Sequence, residues 1–333
     1  MGSYLKFVSS LLLFGSNGVV AAHIALDSAE IVFLRTLIGA AFLGLVLLVR
    51  RARRGGTDKP VGAGPCPPFG RKAENPTEAA FSRSARRASK GSPLQPTSNP
   101  FVPRARSWLF VCASGAAMGL SWLFLYEAYR EVGVAVASLA YYCAPILVMA
   151  LSPLVFKERL TARSVASLAV VFAGAVLMNG ATLGAGGSAW GMACGWASAV
   201  AHAAMVVCSK LGDDVDGLES SCMQLAVSFA VAAAFLAATG GLPFAVPAAS
   251  WGWVAMLGVV NTGVGCYLYF SSFGGLSAQT VAVLGYLEPL SAVVCAAVFL
   301  GEAMTAPQLA GGVLIVGGAA FGTLATRPSS SRT

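Results

Sequence analysis

An all-α polytopic membrane protein, with ten transmembrane helices arranged as two inverted five-helix repeats, is the fold class that the sequence predicts. Three observations predict it. Of 333 residues, 56% are hydrophobic and 11% charged, with a mean hydropathy of +0.73, whereas a soluble domain carries about 25% charged residues. Ten apolar runs follow one another along the chain, most of them near the ~20 residues that cross a bilayer as a helix. The chain also repeats itself at an offset of 144 residues: Tyr142, Pro145, Glu158, Thr161 and Gly174 match Tyr286, Pro289, Glu302, Thr305 and Gly318. A period this long is a duplicated half rather than a solenoid unit.

The first run, Leu5 to Leu26, holds a small, polar patch, Gly15-Ser16-Asn17-Gly18, where a lipid-facing helix would have none. A cleaved signal peptide competes for this run, because Lys6 precedes it and Val20-Ala21-Ala22 offers small residues. The second half has five segments, so the first half needs this one to match. Ile31 to Val49 follows, entered through Asp27 and Glu30 and closed by Arg50, Arg51, Arg53 and Arg54. Arg35 lies one turn inside its acidic end, either as a snorkelling side chain or as a cavity charge for an anionic ligand.

From Gly55 to Arg106 the chain is rich in Pro, Ser, Gly and Arg without apolar periodicity, a composition expected to be disordered. Of the chain's 22 Lys and Arg, 13 fall between Arg50 and Arg106, against 3 of its 14 Asp and Glu. The net charge of +8 therefore belongs to one loop and gives no reason to expect nucleic acid as a partner. That loop enforces topology or touches anionic headgroups, so membrane lipids are expected partners.

The remaining spans are Trp108 to Ala128, Val132 to Phe156, Ala162 to Asn179, Ala189 to Leu211, Ser220 to Thr239, Ser250 to Phe270, Ala278 to Leu300 and Ala306 to Ala325. Lys6, the basic insertion, Lys157, Arg159, Arg163, Lys210, Arg327 and Arg332 fall on one face, and only Arg130 on the other. The positive-inside rule places both termini in the cytoplasm. Five helices per half make the halves enter the membrane in opposite directions. The expected division is 1–179, containing the insertion 55–106, then 180–326 and a cytoplasmic tail 327–333. Gly191, Gly195, Ala199 and Ala203 give one helix a small face for close packing.

Polar residues within these runs are the candidate site. Glu288 lies near the middle of the ninth run, where a carboxylate costs at least ~2.5 kcal/mol without partners or water. Either it bonds the backbone freed by Pro289, or it faces a cavity and meets a cation or a proton. His202 reads as a bonded neutral histidine or a proton relay. Asn17 and Asn261 read as interhelical glue or substrate contacts. Trp122, Tyr141, Tyr142, Trp196, Tyr267 and Tyr286 are placed to line a cavity and cage an ammonium or an aromatic metabolite. Pro145 and Pro289 break their helices and are the expected hinges. Glu158 and Glu302 read as helix caps beside Thr161 and Thr305.

The eight cysteines lack a C-x-x-C pair, so neither a disulfide framework nor a metal site is indicated, and no cofactor is expected. No G-x-x-x-x-G-K-[ST] occurs to couple the chain to ATP. An intramembrane enzyme would need paired ionisable groups at similar depth, and Glu288 has no second carboxylate with it.

The mid-span prolines, Glu158-Arg159-Leu160-Thr161, Glu288-Pro289, Gly301-Glu302 with Thr305, and Phe14-Gly15-Ser16-Asn17 resemble the paired EamA domains of the drug/metabolite transporter superfamily. The resemblance covers nearly all the chain outside the insertion. It implies a ten-helix transporter with a central cavity that exports small metabolites such as amino acids across the bacterial inner membrane. The expected partner is a small-molecule substrate, with a homodimer as a further expectation. The competing readings are an importer of quaternary ammonium compounds such as choline, a nucleotide-sugar carrier of an internal membrane, and a non-transporting sensor or scaffold built on the basic loop.

Overall fold

The structure is a computed structural model that describes residues 2–55, 104–132, 137, 140–179, 188–241, 245–299, 301 and 305–325. The stretch 56–103 of the basic insertion, Glu302 and the tail 327–333 lie outside the described residues. Contacts divide the chain into one unit of Met1–Leu47 with Val102–Thr333, and a second of Leu48–Phe101. Of the second, residues 48–55 are described, as the last turns of a helix.

Every regular element among the described residues is helical. The first apolar run is two helices, α1 (Ser3–Gly15) and α2 (Asn17–Ala21), interrupted at Ser16. The Ser16 hydroxyl donates back to Leu13 O at 2.7 Å, so the small, polar patch breaks the helix locally. Next come α3 (Ser28–Gly55), α4 (Arg104–Val132), α5 (Ala144–Val155) and α6 (Ala162–Asn179). The second part begins with α7 (Ala189–Leu211), capped by Ser188, and α8 (Gly217–Thr239), capped by Asp216 and closed by left-handed Gly240.

A single span follows in pieces: a turn at Ala248–Ser250, α9 (Trp251–Met256), a π-helical stretch at Leu257–Val264 and α10 (Gly265–Phe270). The chain ends in α11 (Ala278–Gly285), α12 (Leu287–Phe299) and α13 (Ala306–Ala325). Among the described residues, seven stretches are long and apolar enough to cross a membrane, and three apolar helices, Ala144–Val155, Ala162–Leu177 and Leu309–Gly322, are shorter.

The helix breaks correct one expectation. The prolines do not mark them: the backbone leaves the helix at Tyr142 and Cys143 in one case and at Tyr286 in the other. Pro145 and Pro289 sit in the first turns of α5 and α12. There a missing N–H costs nothing, because first-turn donors have no partner within the helix.

Packing repeats at the same offset as the sequence. A methyl group placed on Gly174 would lie 2.7 Å from Gly311 O, 2.9 Å from Ile315 and 3.0 Å from Leu314. One placed on Gly318 would lie 2.7 Å from Val171, 3.1 Å from Val170 and 3.3 Å from Ser167 O. Shifted by 144, the neighbours of Gly318 become those of Gly174, so α6 and α13 present matching faces to each other. The break residues are similarly paired, since the Tyr286 hydroxyl donates to Tyr142 O at 2.6 Å.

These contacts yield a stability prediction. Gly174→Ala drives its methyl into backbone, whereas Gly318→Ala meets valine methyls that can rotate aside. Overpacking costs roughly 1–3 kcal/mol, and Gly174→Ala is expected at the upper end and Gly318→Ala at the lower. Melting temperatures of the two purified variants check the order; a larger loss for Gly318→Ala would contradict it.

Candidate functional site

Two adjoining cavities lie inside the bundle, with volumes of about 30 and 40 Å³. Tyr141, His202, Tyr269 and Glu288 line both. Each has room for no more than a few water molecules, since about 10–15 Å³ of such volume holds one.

Arg35 lines the larger cavity from α3 and is only 4% exposed. Its Nε donates to Thr262 Oγ1 at 3.0 Å, and its guanidinium carbon stands 4.4 Å from the centre of the Trp122 ring. Among the described residues its terminal nitrogens have no hydrogen-bond partner. The snorkelling alternative is thus corrected: the side chain turns into the bundle and is held there by an aromatic plate and a hydroxyl. Thr262 belongs to the π-helical stretch, a wider turn that commonly marks functional sites in α-helical spans.

Glu288 faces the same cavities from the first turn of α12, where the helix dipole favours a carboxylate. It comes no closer than 4.0 Å to any described cationic nitrogen, and its carboxylate accepts no hydrogen bond among the described residues. The expectation that its proton would bond the broken backbone is therefore not met; the local bond is from Ser291 Oγ to the Glu288 carbonyl, 2.8 Å. Tyr141 and His202 share a hydrogen bond of 2.8 Å between the phenol oxygen and Nδ1. Asn17 supplies a carbonyl oxygen that is buried without a partner.

The structure brings Glu288, Tyr141, Tyr142, His202, Trp122 and Asn17 to the cavities and leaves four candidates outside them. Tyr286 is buried at the break, where its hydroxyl is used on the Tyr142 carbonyl. Asn261 is glue: its Nδ2 donates to Leu13 O at 2.9 Å and to Ser16 Oγ at 2.8 Å, fixing the α1–α2 interruption. Trp196 is 48% exposed, one step round α7 from Gly195, whose face packs against Ala140 and Ala128. Tyr267 stands beside Lys6, 6.0 Å from ring centre to Nζ.

Tyr269, which is not among the sequence candidates, takes the inward place instead of Tyr267. The π-helical stretch inserts an extra residue and rotates everything after it by about 100°. Which of two alternate tyrosines points inward then depends on a feature with no sequence signal.

One end of the bundle is tied shut. Glu158 accepts the N–H groups of Ala278 at 3.0 Å and Gln279 at 3.4 Å, so it caps α11 from the other half of the chain rather than the helix that follows it. Thr161 caps that following helix, accepting the N–H of Ser164 at 3.1 Å. Lys210 Nζ donates to Leu276 O at 2.6 Å and Phe273 O at 3.2 Å.

A multi-pass helical bundle with a buried guanidinium and a half-buried carboxyl group on one small polar cavity has the make-up of a membrane transporter. The chain belongs to the EamA-like transporter family, whose model matches residues 76–180 and 189–324. A Bacillus subtilis (strain 168) protein described as an uncharacterized transporter, YxxF, is 26% identical over 324 residues, covering 95% of this chain and 88% of its own length. An uncharacterized transporter of Archaeoglobus fulgidus is 29% identical over 196 residues, covering 57% of this chain and 67% of its own. A protein of known crystal structure superposes with a TM-score of 0.72 at 21% identity, over 97% of this chain and 99% of that one, a likeness of fold alone.

Proposed function

We propose that this chain is a secondary transporter that exports small amino-acid-like metabolites by alternating access. Its ten spans form two inverted five-helix repeats, 1–179 and 180–326, with both termini in the cytoplasm of a bacterial cell and the bundle in the inner membrane. The reciprocal contacts of Gly174 and Gly318 support the repeat, because a two-fold relation makes each half offer the other the same surface. The breaks at Tyr142-Cys143 and Tyr286 are the elements that absorb rocking of one half against the other.

The observation that carries the substrate reading is Arg35 and Glu288 on one cavity, opposite in charge and not paired with each other. A zwitterion offers a carboxylate to the first and an ammonium to the second. A quaternary ammonium ion offers nothing to Arg35, and the Trp122 face that would hold it is already covered by the guanidinium. Counterflow in proteoliposomes tests this reading: vesicles loaded with unlabelled neutral amino acids are expected to accumulate the labelled species, and choline-loaded vesicles are not. Choline exchange without amino-acid exchange would reverse the assignment.

A further inference from the structure

The end of the bundle away from Lys210 and Glu158 holds a groove of about 970 Å³, far larger than the central cavities. Near its middle, α4 lies tight against α8, since a methyl group on Gly115 would meet Gln224 O at 2.7 Å and one on Gly119 would meet Ser228 O at 3.1 Å. Beyond this contact, Leu120, Leu123 and Phe124 of α4 and Phe235 and Leu236 of α8 line the groove. Leu120 is 43% exposed and Phe235 42%. The apolar wall runs along α4 from Glu127 down to Leu120, about 10 Å at 1.5 Å per residue.

The rim of the same groove is charged. Among the described residues, Asp27, Glu30 and Glu127 stand there with a single cation, Arg130. Arg130 is itself held by carboxylates, with Nη2 2.7 Å from Glu127 and 3.9 Å from Glu131. Glu30 accepts the Asp27 N–H at 3.0 Å, and among the described residues the Asp27 carboxylate has no partner. Trp190 donates its indole N–H to Glu127 at 3.3 Å, setting an aromatic plate at the polar end, where tryptophan marks a membrane interface.

We propose that this groove holds one phospholipid whose headgroup carries a primary ammonium, with an acyl chain against the leucines and phenylalanines and the ammonium against Asp27 and Glu30. An apolar groove on the outside of a membrane-spanning bundle takes up hydrocarbon, and the charges on its rim select the headgroup. A phosphate meets Arg130, an ammonium with N–H donors meets two acceptors, and a headgroup with net negative charge meets an excess of carboxylates.

The test is native mass spectrometry of the full-length protein in detergent, titrated with phosphatidylethanolamine, phosphatidylcholine or phosphatidylglycerol of identical acyl chains. One phosphatidylethanolamine per chain is expected to bind roughly thirtyfold more tightly than phosphatidylglycerol, the effect of two interfacial charges at about 1 kcal/mol each. Phosphatidylcholine, lacking N–H donors, is expected to fall between them. Asp27→Asn with Glu30→Gln is expected to bring the three affinities together, while Leu123→Trp, which fills the apolar part, lowers all three alike. Circular dichroism melts establish that both variants fold. Phosphatidylglycerol binding as tightly as phosphatidylethanolamine, or an unchanged preference in the Asp27/Glu30 variant, overturns the proposal. So does a lipid-free dimer in which the groove is covered by a second copy.

Discussion

Glu288→Gln is expected to abolish transport while leaving the fold intact. The amide has nearly the volume of the carboxylate, and among the described residues the native carboxylate accepts no hydrogen bond that the change would break. An unpaired charge inside a bundle is a cost to folding, so the melting temperature of the variant should match or exceed that of the parent. Transport should respond differently, because in the proposed substrate reading the lost charge is the one that meets an ammonium group. Two unit charges 4 Å apart interact by about 4 kcal/mol at an effective dielectric constant near 20, equivalent to roughly a thousandfold in affinity. Counterflow should therefore drop to background at substrate concentrations that saturate the parent. Parent-like flux in a folded Glu288→Gln protein would remove this residue from the mechanism.

Much of this arrangement was legible in the sequence, for reasons that differ from residue to residue. Glu288 stood out because a carboxylate in an apolar run has few acceptable places, and a cavity wall is one of them. His202 followed from the same reasoning, whereas Tyr141 and Trp122 entered with the other aromatic residues inside the spans. The 144-residue offset located paired helix breaks, yet it named the wrong atoms. A proline ring is tolerated in the first turn of a helix, and the break falls two or three residues before it. Glu158 was expected to cap its own next helix; it caps α11, some 120 residues away in the chain, a contact no local pattern encodes.

Residues chosen by type rather than by phase fared worst. Trp196 and Tyr267 are aromatic side chains within spans, as are Trp122 and Tyr269, and composition does not separate them. On an α-helix the separation requires the angular position of each residue, and the π-helical turn at Leu257–Val264 shifts that position midway along the span. The buried amides show the complementary problem: Asn17 and Asn261 look alike in sequence, yet Asn261 binds the α1–α2 interruption and Asn17 faces the chamber.

Arg35 is the residue on which the substrate reading depends most, and Arg35→Gln is expected to change both stability and selectivity. The substitution removes the donor to Thr262, a buried hydroxyl, and the plate over Trp122. Losing a partner of a buried polar group costs about 1–3 kcal/mol, so a modest fall in melting temperature is expected. The transport effect separates a binding role from a structural one. With the guanidinium gone, a substrate carboxylate loses a charge-assisted, two-pronged contact, while an amine of the same shape without a carboxylate loses only a repulsion. The ratio of amino-acid to amine counterflow should therefore fall by roughly a hundredfold, the ~3 kcal/mol upper range of a hydrogen bond to a charged group. Arg35→Lys should fall between the two, since it keeps the charge and loses the fork. A variant that slows both substrates equally would make Arg35 a structural strut, and Glu288 would then be a cation site without a matching anion site.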